Sequence, residues 1–353
     1  MQIFLLIIAI FCISTLINKV IWRSKITGKE MLFNLIVPLI MFAIFWAASM
    51  QNKISDTEIL NGKVLQKTRD IVHCRHSYQC RCYTSCSGSG KHRNCRRYCS
   101  TCYEHSFDFD YNVKSNIGLF SIDTVDRQGL ITPKRFASIN IGDPVSKTHK
   151  YKNYLKGSKN SIFNIYGKMS KDEIKKIPKY PLKIYDYYNI DRVIDQENIL
   201  TKAQKKDFNK KLSLMLADVG FIKKMNAVIV LTKKSDIYAL NLLNQWYGGK
   251  KNDVIIIIGV TNSKIEYVRI HSWSLHSIFD VKLRDAILDI EYIDYDKIVK
   301  SIEYETRKDY IRRSFKEFEY LKWQIIPSMI SIALFTIICL AISTLIGYRL
   351  SKN

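Results

Sequence analysis

Residues 73–105 pack seven cysteines (Cys74, Cys80, Cys82, Cys86, Cys95, Cys99 and Cys102) and four histidines (His73, His76, His92 and His105) among Arg75, Arg81, Lys91, Arg93, Arg96 and Arg97. So few apolar side chains cannot close a core, so cross-links or a bound metal must order this segment. Two chemistries fit. A disulfide framework suits an oxidising compartment, but seven is an odd number: three bridges leave one thiol as a free group, a metal ligand or an intermolecular link. Zinc is the rival. Cys80-x-Cys82-x3-Cys86 and Cys95-x3-Cys99-x2-Cys102 form two ligand clusters on either side of the turn Ser87-Gly88-Ser89-Gly90, and the histidines can complete tetrahedral shells.

The rest of the chain supplies apolar material in blocks. Residues 3–17, with an extension to Trp22, residues 32–50 and residues 325–348 are apolar runs, the second and third without a charge. Each approaches or reaches the ~20 residues that cross a hydrocarbon layer of about 30 Å, so three transmembrane helices are expected. The positive charges near the first run follow it rather than precede it, which argues against a cleaved signal. Cys12 and Cys339 fall inside these runs, where packing is the expected role.

Orientation is read from the short flanks. Arg23, Lys25 and Lys29 against Glu30 separate the first two runs, and Arg349 and Lys352 follow the third, so both places are expected in the cytoplasm. The N-terminus and residues 51–323 then lie on the far side, although Lys316 and Lys322 weaken the contrast. Of the net charge of +23, the first loop with Lys19 takes +3 and the tail +2, leaving +18 on residues 51–323. A surface that basic favours membrane lipid and other anionic surfaces. Nucleic acid is not favoured, because neither interleaved aromatics nor a recognition-helix pattern accompanies the charge.

Past the cysteines, residues 107–113, 119–125 and 135–141 read as strands of a small β module, the last ending in the turn Gly142-Asp143-Pro144. Asp108, Asp110, Asp123 and Asp126 offer oxygen ligands there, but acids at strand edges are mostly solvated. A boundary falls near Ile177-Pro-Lys-Tyr-Pro181, and the texture then becomes α/β. Thr201-x-x-Gln204 is a capping box, and Phe208, Leu212, Met215 and Val219 form one apolar face of a helix over 202–218. Residues 227–232 read as a buried strand, and Ser235 as the cap of a helix that Gly248 and Gly249 stop. Asp253 introduces an apolar strand over 254–260 that lacks alternation and therefore suits a central position. Residues 265–271 supply another strand, and 281–289 and 295–321 supply helices. Gly248-Gly-Lys-Lys lacks P-loop spacing, and no elbow frames Ser272 between His271 and His276. The fold class is thus an α+β membrane protein. It comprises two transmembrane helices in 1–50, a Cys-rich segment and β module in 51–180, a layered α/β domain with a connecting helix in 181–323, and a transmembrane helix with a basic tail in 324–353.

Two resemblances add to this reading. The runs Cys80-Arg-Cys-Tyr-Thr-Ser-Cys-Ser-Gly-Ser-Gly, Cys99-Ser-Thr-Cys-Tyr-Glu-His-Ser-Phe-Asp, Ile122-Asp-Thr-Val-Asp-Arg-Gln-Gly and Phe318-Glu-Tyr-Leu-Lys look like those of a family of membrane proteins encoded by tailed bacteriophages. That resemblance covers most of residues 55–323. It implies an architecture and a host-membrane address and carries no activity; with the orientation read from the flanks, the expected place is the host inner membrane with the large domain extracytoplasmic, and envelope or phage proteins are the expected partners. Val193-Ile-Asp-Gln-Glu-Asn-Ile-Leu, Asn226-Ala-Val-Ile-Val-Leu-Thr and Trp246-Tyr-Gly-Gly-Lys-Lys-Asn-Asp253 make residues 185–300 similar to the TPM domain of thylakoid-lumen and bacterial envelope proteins. The second resemblance implies a membrane-anchored α/β module linked to protein maintenance, with phosphatase activity and calcium binding proposed for some members. Asp253 matches the acidic or amide position before the family's apolar strand and is the residue implied to meet a divalent ion. The sequence departs after the next strand, where His271-Ser-Trp-Ser replaces the usual glycine-containing, acidic continuation. The favoured function is a non-enzymatic adaptor or scaffold, and the alternative is a TPM-type metal-dependent phosphohydrolase.

Overall fold

A computed structural model describes residues 2–22, 28–88, 94–158, 175, 177–181 and 190–350. The chain is mixed α+β and divides into two compact units, one of Met1–Thr57, Lys150–Ile174 and Ser314–Asn353, the other of Glu58–His149 and Lys175–Arg313.

The first unit is built on helices α1 (Gln2–Trp22) and α2 (Gly28–Ile54) and on the last helix, Met329–Leu350. Ile36–Ile54 and Met329–Ile346 are long and apolar enough to cross a membrane; the apolar part of α1 among the described residues, Ile8–Ile21, is shorter. The three helices meet where Ile10, Phe335 and Cys339 are buried together, and the rings of Phe45 and Phe335 stack at 4.6 Å. A polar contact joins α1 to the last helix, from Asn18 Nδ2 to the Ser343 carbonyl at 3.4 Å, the kind of bond that ties helices where water does not compete.

Among its described residues, the second unit holds two four-stranded sheets and a separate ribbon. The first sheet runs β5-β4-β1-β6, where β1 is Ser55–Val72, β4 Asp108–Ser115, β5 Gly118–Ile122 and β6 Pro144–Lys152. Strands β1 and β4 pair antiparallel, as do β4 and β5, over a core of Val64, Tyr111, Val113, Ile122, Ile139 and Val145. β1 has no counterpart among the strands expected from the sequence, because Gly62 and an irregularity between Val64 and Gln66 break its alternation. The strand expected over 135–141 is absent. Lys134–Ser138 is a short helix instead; Phe136 reaches the core from this helix, and Ile139 from the extended residue that follows it.

The second sheet runs β10-β9-β8-β7, with β7 Val193–Asp195, β8 Asn226–Thr232, β9 Asp253–Thr261 and β10 Lys264–Ser272. Strands β7, β8 and β9 are parallel and β10 returns antiparallel to β9. Parallel neighbours need crossovers. Helix α3 (Lys202–Met215) lies between β7 and β8, and α4 (Asp236–Gln245) between β8 and β9; α5 (Ile278–Leu288) and α6 (Tyr295–Asp309) follow the sheet. The capping box forms at the start of α3: Thr201 Oγ1 accepts from the Gln204 amide while Gln204 Oε1 accepts from the Thr201 amide. The helix then widens into a π turn over Leu216–Gly220, and 281–289 begins earlier than expected, at Ile278. Phe208 and Leu212 of α3, Phe279, Leu283 and Ile287 of α5, and Ile298 and Ile302 of α6 bury against Ile229, Leu231, Ile256 and Ile258. Each such side chain contributes about 1.5–3 kcal/mol when fully buried, so this core is the main source of order in the unit. Gly259 has a specific cause: the Tyr267 ring of the paired strand lies over it, where a Cβ would fall 2.0 Å from Cε1.

Candidate functional site

The cysteine-rich segment folds as a two-stranded antiparallel ribbon of β2 (Ser77–Ser87) and β3 (Asn94–Tyr103). Three disulfides cross it in nested order, Cys80–Cys102, Cys82–Cys99 and Cys86–Cys95. Each is a cross-strand link on a hairpin, so the pairing follows from distance to the turn. A bridged sulfur has no thiolate to offer, so the two-cluster zinc arrangement does not apply to these six residues. Arg81 sits in a left-handed conformation at φ 45° where the register shifts between Cys80 and Tyr83. A bulge there puts Arg81 and Cys82 opposite the single residue Cys99. β2 has no buried position, and Tyr78, Tyr83, Tyr98 and Tyr103 are all exposed, with the rings of Tyr83 and Tyr98 stacked 5.7 Å apart. Arg81, Arg96 and Arg97 lie on the same ribbon, which is therefore a basic, aromatic surface held by sulfur. His92 lies outside the described residues.

Cys74 alone of the seven stays a thiol, and it is buried with 2% exposure at the foot of the ribbon. Its Sγ lies 3.7 Å from His105 Nδ1, and that nitrogen lies 3.2 Å from Asp108 Oδ1. The second Asp108 oxygen accepts from the Arg75 amide at 3.0 Å. This backbone N–H holds the Asp108 carboxyl below its ordinary value, with smaller help from Cys74 and His105 against the opposite pull of burial. His73 turns away, its ring edge-on to Tyr103 at 4.4 Å, and His76 Nε2 contacts the Arg127 carbonyl at 2.9 Å. Of the four acids read as oxygen ligands, Asp110 pairs with Arg75, Asp126 accepts from the Leu130 and Ile131 amides, and Asp108 joins the thiol cluster.

Asp253 opens β9 and is fully buried. One of its oxygens accepts from Asn226 Nδ2 at 3.0 Å; the other accepts from the Tyr180 hydroxyl and the Lys250 amide, both at 2.6 Å. Burial pushes its carboxyl up to about 6, against the lowering effect of those three donors. Asn226 also faces Arg192, which is 1% exposed. The Arg192 guanidinium donates to Asn61 Oδ1 at 2.6 Å, Ser146 Oγ at 2.8 Å, Ser213 Oγ at 2.9 Å and Asn226 Oδ1 at 3.3 Å, and burial lowers its pKa to about 10. Arg192 thus ties β1 and β6 of one sheet to α3 and β8 of the other. A second buried carboxylate, Glu58, is met by His149 at 2.9 Å, Lys251 at 3.0 Å and Arg312 at 2.6 Å. Neither Arg192 nor Glu58 stands out in the sequence, because nothing in the flanking residues signals that a charge will be buried. Ser272 is no nucleophile partner for a histidine: its hydroxyl donates to Asp280 at 2.5 Å.

No protein-family model matches the sequence, and no curated protein is significantly similar to it.

Proposed function

We propose that the chain is a phage-encoded, multi-pass protein of the host inner membrane, and that it works as a non-enzymatic adaptor or scaffold with a basic extracytoplasmic domain. The observation that carries the reading is the ribbon β2–β3. It has no core of its own, is fixed by three disulfides, and exposes four tyrosines beside Arg81, Arg96 and Arg97. Aromatic and arginine side chains are the residue types that carry most binding energy at protein interfaces. A rigid strip of them, kept ordered without burial, suits an envelope or phage protein with an acidic face, or an anionic surface. Disulfides favour an oxidising compartment, which supports the extracytoplasmic orientation, as do the basic flanks at residues 23–29 and 349–352. α1, α2 and the last helix pack on one another, which supports three membrane crossings. The sheet β7–β10 with its crossover helices supports a TPM-like module.

The phosphohydrolase alternative would place a divalent ion on Asp253. That carboxylate is buried and already accepts three hydrogen bonds, the mark of a structural group. A photo-crosslinking residue at Tyr83 or Tyr98, in cells making the full chain, is expected to give discrete adducts that the same residue at Tyr292 does not give. Identical patterns at all three positions would overturn the ribbon as the contact surface. Phosphate release by the purified full chain that needs calcium, magnesium or manganese and is lost in Asp253→Asn would overturn the adaptor reading itself.

A further inference from the structure

We propose that Cys74, His105 and Asp108 form a binding site for one zinc-class divalent ion at the foot of the ribbon. The ligand atoms of the three residues all lie within 4.8 Å of one another. A tetrahedral ion with bonds of about 2.0–2.3 Å holds its ligand atoms roughly 3.3–3.6 Å apart. The Sγ to Nδ1 distance of 3.7 Å and the Nδ1 to Oδ1 distance of 3.2 Å lie just either side of that spacing before any ion is added. Thiolate, imidazole and carboxylate together suit a borderline-soft ion such as zinc rather than calcium or magnesium, which take oxygen alone.

Three features beyond proximity point to a built site. Six of the seven cysteines are consumed in bridges, and the seventh is kept as a buried thiol facing a histidine and an acid. Asp108 is oriented by the Arg75 amide, which leaves its other oxygen toward His105, the kind of support that metal-binding carboxylates receive. The chain also brings the ligands from both sides of the ribbon: Cys74 precedes β2, His105 follows β3 and Asp108 begins β4. The backbone bond from the Glu104 amide to the His76 carbonyl, 3.0 Å, already closes that neck.

The proton balance is simple. It starts from a neutral imidazole with its proton on Nδ1, between Asp108 and the sulfur, and from a protonated thiol. On binding, the imidazole proton moves to Nε2, the thiol loses one proton to solvent, and two anionic ligands neutralise the dication. One ion binds per chain, one proton is released, and a fourth coordination position is left for water or a donor from a partner.

The test uses the full chain in detergent, never reduced, so that the bridges stay closed. After chelator treatment, Co(II) is added. The expected result is one cobalt per chain with a thiolate-to-cobalt charge-transfer band, displaced by zinc. Peptide mapping should show Cys74 alkylation slowed by zinc and restored by chelator. Cys74→Ser should abolish the band, and His105→Gln and Asp108→Asn should weaken binding by at least about tenfold. Each variant must retain the mass deficit of three disulfides, which separates loss of a ligand from loss of the ribbon. Cobalt that binds without the band, Cys74 that alkylates equally with and without zinc, or Cys74 found in a disulfide between two chains would each overturn the site.

Discussion

The ribbon β2–β3 and the sheet strands β8 and β9 are both regular β structure, yet they owe their order to different causes. β8 is buried along its whole length and β9 at all but its last residue, whereas β2 has no buried position. In the sheet, apolar transfer from water stabilises the strands. In the ribbon little is removed from water, and the bridges act instead by restricting the unfolded chain across sequence separations of 22, 17 and 9 residues. Such bridges are each worth about 2–4 kcal/mol in the loop-entropy account. The two regions should therefore fail under different stresses.

The largest expected effect breaks one region and spares the other. Replacing all six bridged cysteines by serine should unfold the ribbon, with amides of residues 77–103 exchanging at the rate of unstructured chain. Amides of β8 and β9 should keep their protection, because none of their contacts depends on sulfur. Hydrogen exchange followed by mass spectrometry reads both in one experiment. Loss of protection in β8 and β9 in step with the ribbon would show that the sheet depends on it.

A smaller effect sharpens the contrast from the other side. Arg192→Met keeps much of the side-chain volume but removes the donor that Asn61 Oδ1, Ser146, Ser213 and Asn226 share, leaving Asn61 Oδ1 with the Ser146 hydroxyl and Asn226 Oδ1 with Asn61 Nδ2. Each buried acceptor that loses a donor costs about 1–3 kcal/mol, so several together cost on the order of 3–5 kcal/mol. Because these partners lie on both sheets, chemical denaturation should lose that amount from the second unit, with exchange rising in β1 and β8 together. The ribbon should be unmoved. A change confined to one sheet would mean that Arg192 does not couple them.

The same division explains what could be read from the sequence. β8, β9 and the start of α3 were legible because each is determined locally: an unbroken apolar run, and a capping box at Thr201 and Gln204. The α+β class and two of the apolar runs follow in the same way. The disulfide pairing does not follow from the cysteine count, although the nested spacing of Cys80, Cys82 and Cys86 about the Ser87-Gly88 turn against Cys95, Cys99 and Cys102 carries it once a hairpin is assumed. β1 was missed because Gly62 and a register shift disrupt its period of two. Residues 135–141 read as a strand although Lys134–Ser138 is one helical turn, because a piece so short carries no helical period and Ile139 beyond it is extended. The buried roles of Arg192, Glu58 and Asp253 depend on partners far along the chain, and no local pattern encodes them. Cys74, His105 and Asp108 were each legible as ligand types, but their convergence is a product of the ribbon's neck.

The smallest effect concerns Asp253 and is read as a slope. Its carboxyl is pushed from 3.8 up to about 6 by burial, so between about pH 4 and 6 the folded chain holds a proton that the unfolded chain has released. Below that window both forms are protonated and the group is neutral to stability. As pH rises through it, ionisation favours the unfolded chain, and stability falls by on the order of 2–3 kcal/mol. This is opposite in sign to the usual paired carboxylate, such as Asp236, whose carboxyl the Arg269 side chain holds below its ordinary value and which stabilises the fold as pH rises. The Asp253→Asn chain should lose this downward component. The quantity to compare is therefore the difference in unfolding free energy between the two proteins at pH 4 and at pH 7, rather than either value alone. The amide has one oxygen for three donors, so Asp253→Asn is expected to be the less stable protein at pH 4 and to narrow that gap by pH 7. A gap that stays constant across the window would place Asp253 in a far more polar setting than its contacts with Asn226, Tyr180 and the Lys250 amide imply.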